Sequence, residues 1–165
     1  MNYIFRKVNN SDVDSIWSLI QLLKDEKAEM SFTEINNKEE INNYIDNPAN
    51  LTYVAVSNEE VPQVLCMVKG RRDLSIEKAH AVFLSCATHP LARGMRLATK
   101  LTNYALEEMK KEGVNIARIY VYSDNIASLN VVKKLGFIKS GVVLRHHKKS
   151  TGEYVDDIIF HKLLD

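Results

Sequence analysis

The sequence predicts a mixed α/β fold (α+β), with a central, mostly antiparallel sheet flanked by about four helices. Two observations predict it. Short apolar and β-branched runs alternate with helical periodicities in the order β-α-α-β-β-β-α-β-α-β-β, which calls for a mixed sheet with helices packed on it. No Pro/Gly/Ser linker, repeat or low-complexity tract interrupts that order, so residues 1–165 read as one domain.

Each element has its own signal. Y-I-F-R-K-V, Tyr3 to Val8, alternates like a strand. Asn10, Ser11 and Asp12 offer helix caps, and Ile16, Leu19, Ile20 and Leu23 recur at helical spacing, giving an amphipathic helix over about residues 11–27. K-E-E-I-N-N-Y-I is a shorter helix ending near Asn47-Pro48. L-T-Y-V-A-V and V-L-C-M-V-K are strands divided by a polar turn around Asn58-Glu59-Glu60. A-V-F-L-S-C-A-T, Ala81 to Thr88, is a long apolar strand that stops at Pro90. A long helix follows through Leu97, Leu101, Tyr104, Ala105 and Met109, and Gly113 ends it after two lysines. A-R-I-Y-V-Y is the next strand. Asp124 or Asn125 caps the helix A-S-L-N-V-V-K-K-L, which Gly136 terminates. Two strands, F-I-K-S-G-V-V-L-R-H-H and E-Y-V-D-D-I-I-F-H-K-L, close the chain around Ser150-Thr151-Gly152.

The composition narrows the function. At 165 residues, 45% hydrophobic and 26% charged, the chain can bury a sizeable core. Lys+Arg number 22 and Asp+Glu 21, so the net charge of +1 calls for neither nucleic acid nor an anionic membrane. No apolar run approaches a membrane span, and the N-terminus lacks a secretory pattern. Cys66 and Cys86 sit in apolar strand-like runs, which points to a reduced, cytoplasmic setting. The five histidines show no metal-site spacing, and no metal is expected. His146 and His147 are adjacent and would face opposite sides of a strand.

The chemistry concentrates in T-H-P-L-A-R-G-M-R-L-A-T-K-L, Thr88 to Leu101. It is a glycine-containing loop between a strand and a helix. A helix N-terminus offers up to about four unpaired N–H groups and roughly half a positive charge, so it can hold an anion without a dedicated side chain. Arg93 and Arg96 add guanidinium groups that could reach phosphate oxygens.

This segment resembles the acyl-CoA signature of the GNAT superfamily of N-acetyltransferases, Q/R-x-x-G-x-G/A. It falls on Arg93, Gly94, Met95, Arg96, Leu97 and Ala98, with Arg96 in place of the middle glycine. D-N-I-A-S-L-N-V-V-K-K-L-G-F is similar to the family's N-x-x-A/S-x-x-x-x-x-K-x-G-F segment through Asn125, Ser128, Lys134, Gly136 and Phe137. The resemblance implies acetyl-CoA as cosubstrate. Backbone groups at Ala87 and Thr88 would meet the pantetheine arm. Amides from Arg93 to Ala98 would hold the pyrophosphate. Asn125 would contact the pantetheine region, and Ser128 joins the cofactor-binding set. As a first-turn helical residue, Arg96 is expected at negative φ, which arginine tolerates.

Acetyl transfer to an amine needs a neutral amine, a stabilised oxyanion and a protonated leaving thiolate. The resemblance places an oxyanion-binding N–H near Ala87-Thr88. Many family members carry a tyrosine acid where this chain has Val132. Tyr120 and Tyr122 are the nearest substitutes, and packing is the ordinary role for both. His80, Ser85 and His89 lie on or beside the strand before the loop as possible bases.

For the acceptor, the resemblance directs attention to the region between the first two helices, with Asp25, Glu26, Glu29, Met30, Phe32 and Glu34, and to the last hairpin, with Glu153, Tyr154, Asp156 and Asp157. Glu29, Met30 and Tyr154 are the candidate substrate residues. Acidic groups in a pocket favour a cationic amine. The acceptor is expected to be a primary amine of a small molecule, an amino acid or a peptide N-terminus. Arg96 and Val132 leave open a second reading, a CoA-binding regulatory or interaction domain on the same fold. An exposed strand edge allows a homodimer.

Overall fold

The computed structural model describes residues 2–165. Strand β1 (Tyr3–Lys7) leads through a 3-10 turn (Asn10–Asp12) into helix α1 (Val13–Asp25). The entry is fixed by a reciprocal cap. The Asn9 side chain accepts from Ser11 N–H at 3.0 Å, and the Asp12 carboxylate accepts from Asn9 N–H at 2.9 Å. Asp12 is buried and also takes both guanidinium nitrogens of Arg6, at 2.7 and 2.8 Å, which ties the turn to β1. Helix α2 (Lys38–Asp46) is capped by Asn37, whose side chain accepts from Glu40 N–H.

Strands β2 (Asn50–Ser57), β3 (Val64–Arg71) and β4 (Ala81–Thr88) form an antiparallel run with β1. Helix α3 (Leu97–Lys111) carries the chain over to β5 (Ile116–Tyr122), which lies parallel to β4. Helix α4 (Ile126–Lys134) and the hairpin β6 (Ile138–Lys148) and β7 (Tyr154–Leu163) complete it. Among the described residues one seven-stranded sheet runs β1-β2-β3-β4-β5-β7-β6, and β4–β5 is its parallel pair. The expected mixed, mostly antiparallel sheet with four helices is what forms.

Helices cover both faces. Leu97, Leu101, Ala105 and Met109 of α3 pack on Val68, Val82 and Leu84. Ile16, Leu19, Ile20 and Leu23 of α1 pack on Val54, Val64 and Met67 from the other side, with Phe32 and Ile41. Central strands covered twice lose the apolar–polar alternation, which is why β2 is almost wholly buried.

Gly70 leaves room for the end of the Met109 side chain of α3. A Cβ there would lie 2.6 Å from Met109 Cε and 3.3 Å from Val82 Cβ. Gly70→Val is therefore expected to lower the unfolding free energy by about 1–3 kcal/mol through overpacking. Met109→Ala in the same chain should recover part of that loss. Strictly additive urea-unfolding energies for the two substitutions would show that the contact does not limit packing.

Candidate active site

The site begins where β4 and β5 part. Their parallel register holds from Ala81↔Ile116 to Leu84↔Ile119 and then stops. Beyond it β4 keeps its partner β3, as far as Cys66↔Thr88, while β5 keeps β7, as far as Tyr122↔Asp157. The sheet thus opens, and the β5-facing edge of Ser85 to Thr88 has no strand beside it. Backbone donors and acceptors left so must find another partner.

Two clefts meet at this gap. The larger, about 790 Å³, is bounded by Arg93, Gly94 and Arg96 to Thr99 on one side and by α4 residues with Val132 and Phe137 on the other. The smaller, about 440 Å³, lies under the loop after α1 and is lined by Glu29, Met30, Phe83, Tyr120, Tyr122 and Asp157. Met30, Leu84, Ser85, Cys86, Ile119 and Ser128 line both.

At the larger cleft, the first bond of α3 runs from Lys100 N–H to Arg96 C=O at 3.1 Å. The N–H groups of Leu97, Ala98 and Thr99 precede that ladder. Arg96 is the N-cap and its side chain makes no capping bond, so the positive end of the helix meets the cleft bare. One expectation needs correction. Arg96 is not a first-turn residue at negative φ: it sits at φ 57°, ψ 25°, in the left-handed region. Gly94, at φ 80°, is also left-handed. Two such residues flanking Met95 let the loop double back so that its amides precede the helix. Glycine suits that conformation and arginine strains it.

Arg93, at the edge of the larger cleft, is engaged by a carboxylate. Its guanidinium holds Glu26 at the end of α1 with two bonds, 2.6 and 3.0 Å, which draws the Glu26 carboxyl below its ordinary range. Asn125 caps α4, its side-chain oxygen accepting from Ser128 N–H at 3.1 Å; its amide nitrogen is free of that bond. Ala87 is buried in the α1-side core, and Thr88 Oγ1 lies 3.5 Å from Cys66 Sγ. Cys66 and Cys86 are free thiols 3.8 Å apart. Val132 is 2% exposed and lines the cleft with no acidic proton to give.

At the smaller cleft, Tyr120 stands edge-on to Phe83, ring centroids 5.3 Å apart. Tyr122 stacks on His147 at 5.1 Å, and His147 Nε2 meets Glu29 at 2.6 Å. Burial, then the carboxylates Asp157, Glu29 and Glu34, push the Tyr122 hydroxyl up, so it keeps its proton at neutral pH. Tyr154 is 50% exposed beneath Arg145 and Lys148 and is not among the lining residues. His89 Nδ1 accepts from Leu91 N–H and caps the turn after β4; burial lowers its pKa, with Arg93 adding to the effect. His80 stands at the opposite end of β4 from the gap. Among the described residues no cluster of histidine, cysteine and carboxylate suits a metal, and no helix is long and apolar enough to cross a membrane.

The residue that sequence reasoning did not single out is Asp157. It is 5% exposed, faces the cleft opposite Tyr122, and has His146 Nε2 at 3.9 Å. Burial pushes its carboxyl up, and His146 opposes that only in part. The hairpin acids gave a signal of composition, and only the strand pairing separates Asp157 from the rest. The same pairing corrects the expectation for His146 and His147. Register slips between Val143 and His147, around Arg145 at φ 51°, so both histidines reach members of one cross-strand pair, Asp157 and Tyr122.

Two outcomes follow. Arg96→Gly is expected to raise the unfolding free energy by up to about 1 kcal/mol, and Arg96→Val to lower it, since a β-branched residue is least tolerated at positive φ. Urea unfolding should rank them Gly, Arg, Val; valine above arginine would rule out the left-handed backbone. Asp157 has a native pKa above its unfolded value of about 3.9, so its ionised form weakens the fold as pH rises through the native pKa. Asp157→Asn should melt above the parent at pH 7, and the gap should close below about pH 4. A lower melting temperature at pH 7 would contradict the burial cost.

Comparison with solved structures agrees with this architecture. An acetyltransferase of the GNAT family from Streptococcus pneumoniae superposes with a TM-score of 0.87 at 18% identity, covering 98% of this chain and 99% of that one. yncA from Salmonella typhimurium, solved with its cofactor acetyl-CoA, gives 0.85 at 17%, covering 99% and 94%. Ribosomal-protein-alanine N-acetyltransferase from Brucella melitensis gives 0.83 at 17%, covering 97% and 99%. No curated protein sequence matches the chain. Residues 16–137 match the Acetyltransferase (GNAT) family, from the middle of α1 to the end of the second motif. With most of its length inside that match, the chain belongs to the GNAT family of acetyltransferases.

Proposed function

We propose that this protein transfers an acetyl group from acetyl-CoA to a primary amine, of a small molecule, an amino acid or a peptide N-terminus. The observation that carries this reading is the meeting of two clefts at the gap between β4 and β5, with the uncapped end of α3 on one side. A thioester lying in that gap would have its phosphates at the helix end and its carbonyl at the junction. The yncA structure, which holds acetyl-CoA on the same fold, is consistent with that assignment.

In this reading the N–H groups of Leu97, Ala98 and Thr99 bind pyrophosphate oxygens, and the helix end supplies the favourable field. The unpaired edge of β4 runs along the pantetheine arm and supplies an N–H to the oxyanion. The amine enters from the smaller cleft. Its lone pair forms the C–N bond, the C–S bond breaks, and the amine's proton is released as the CoA thiol leaves. Tyr122, protonated at neutral pH, is the nearer of the two tyrosines to the cleft's acids and can return a proton to the thiolate. Val132 cannot do so, and thiolate is a tolerable leaving group without help.

Calorimetric titration with acetyl-CoA tests the reading, with a micromolar dissociation constant expected. Gly94→Glu should weaken binding at least about tenfold, or ~1.4 kcal/mol, by placing a carboxylate beside the anion site. Gly94→Ala carries the same positive-φ strain without charge and should lose much less. Equal losses in both would attribute the effect to the backbone and move the phosphates elsewhere.

A further inference from the structure

The acceptor cleft contains a buried carboxylate that the fold itself does not use. Asp157 projects from β7, and its side chain is 7% exposed. Among the described residues its carboxylate makes no hydrogen bond; its contact with His146 Nε2, at 3.9 Å, is beyond hydrogen-bond distance. By contrast, the other buried carboxylate, Asp12, is held by both guanidinium nitrogens of Arg6 and by a backbone N–H. A carboxylate so largely covered and without such partners bears a desolvation cost, which a cation entering the cleft it lines would offset.

Its place in the cleft says which ligand. Asp157 pairs with Tyr122, at the end of β5 that has already left β4, so it stands at the junction end of the smaller cleft. Arg71, which pairs with Phe83 near the start of β4, lines the opposite end. Between them lie Phe32, Phe83, Tyr120 and Tyr122, an aromatic wall. Negative charge at the junction and aromatic faces along the path suit a cationic head on an apolar frame. The other titratable groups sharing this end are Tyr122 from β5, His146 and His147 from β6, and Glu29 from the loop after α1; Glu29 and His147 are already paired with each other.

We infer that Asp157 is the acceptor-binding carboxylate, holding the protonated nitrogen of a primary alkylammonium substrate with an apolar or aromatic body. This deepens the acetyltransferase reading and rests on it. The ammonium donates N–H bonds to the Asp157 carboxylate. One of its protons passes to that carboxylate, which frees the nitrogen lone pair to form the C–N bond at the thioester carbon. That proton then leaves through the open cleft; as the tetrahedral adduct collapses, the C–S bond breaks, the nitrogen gives up its second proton, and the sulfur takes up one proton to depart as the CoA thiol. A carboxyl pushed up by burial is the better base for this transfer.

The test follows CoA thiol release from acetyl-CoA with phenethylamine, tyramine, cadaverine, spermidine and lysine as alkylammonium probes. Aniline, uncharged at neutral pH, is the comparison. The parent protein should use at least one alkylammonium in preference to aniline. Asp157→Asn should lose at least about a hundredfold in kcat/KM for it, a larger loss than for aniline, so that the preference for the alkylammonium disappears, with acetyl-CoA affinity unchanged. Asp157→Glu keeps the charge and should keep the preference for the ammonium, and it carries the test if the asparagine variant does not fold. Acetyl-CoA binding without turnover of any alkylammonium, or full activity in Asp157→Asn, overturns this inference and leaves the acetyltransferase reading standing. A folded parent that does not bind acetyl-CoA overturns both.

Discussion

Everything functional here depends on two strands ceasing to pair. β4 and β5 share four register positions and then each stays with its other neighbour, β3 or β7. The parallel pair is made by the crossover through α3, so the opening and the start of that helix lie at the same end of the sheet. One constraint therefore supplies a row of unpaired backbone groups, a gap for an extended ligand, and a helix dipole aimed at its anionic end. Removing the side chains of the loop would leave most of this in place. That is why a family can keep its function while only a few motif residues stay recognisable.

The loop after α1 is what turns an opening into two clefts. It is tied at both ends by side-chain contacts that cross long stretches of sequence. Glu26 binds Arg93 beside the larger cleft, and Glu29 binds His147 beside the smaller one. Exposed pairs of this kind add little to stability. Their value is geometric: Met30 and Phe32 are held over the junction, and Met30 lines both clefts. The first motif arginine thus braces the loop after α1, a contact that its position in the motif would not suggest.

The fold was legible because its signals are local. The cap at Asp124 or Asn125, the apolar stripes of α1 and α3, and the stop at Gly113 each act within a few residues. The cofactor loop was legible as a pattern of glycine and helix start. What stayed hidden depends on pairing between distant strands. Asp157 was one acid among three in the last hairpin until β5 placed it against Tyr122. His146 and His147 could not be assigned a common side, because the bulge at Arg145 breaks the alternation on which such reasoning rests. Arg96 misled for a different reason. Its type argues for an ordinary helical residue, and the geometry of the loop overrides that preference.

That override bears on why the position is usually glycine. A left-handed residue at the N-cap is required by the reversal that brings the α3 amides to the cleft, and glycine meets the requirement without strain. Arginine bears a local cost of roughly 1–2 kcal/mol to adopt the same backbone. The loop nonetheless keeps its form because its surroundings determine it: Ala92 and Leu97 are buried on either side, Met95 packs against the core, and Arg93 is clamped to α1. Strain that the framework holds in place is common at ligand sites. Here it leaves Arg96 at the larger cleft, where, in the proposed reading, a phosphate would offset its charge and gain a donor beyond the backbone. The substitution exchanges conformational ease for charge, and the backbone donors that define the cradle are the same in either case.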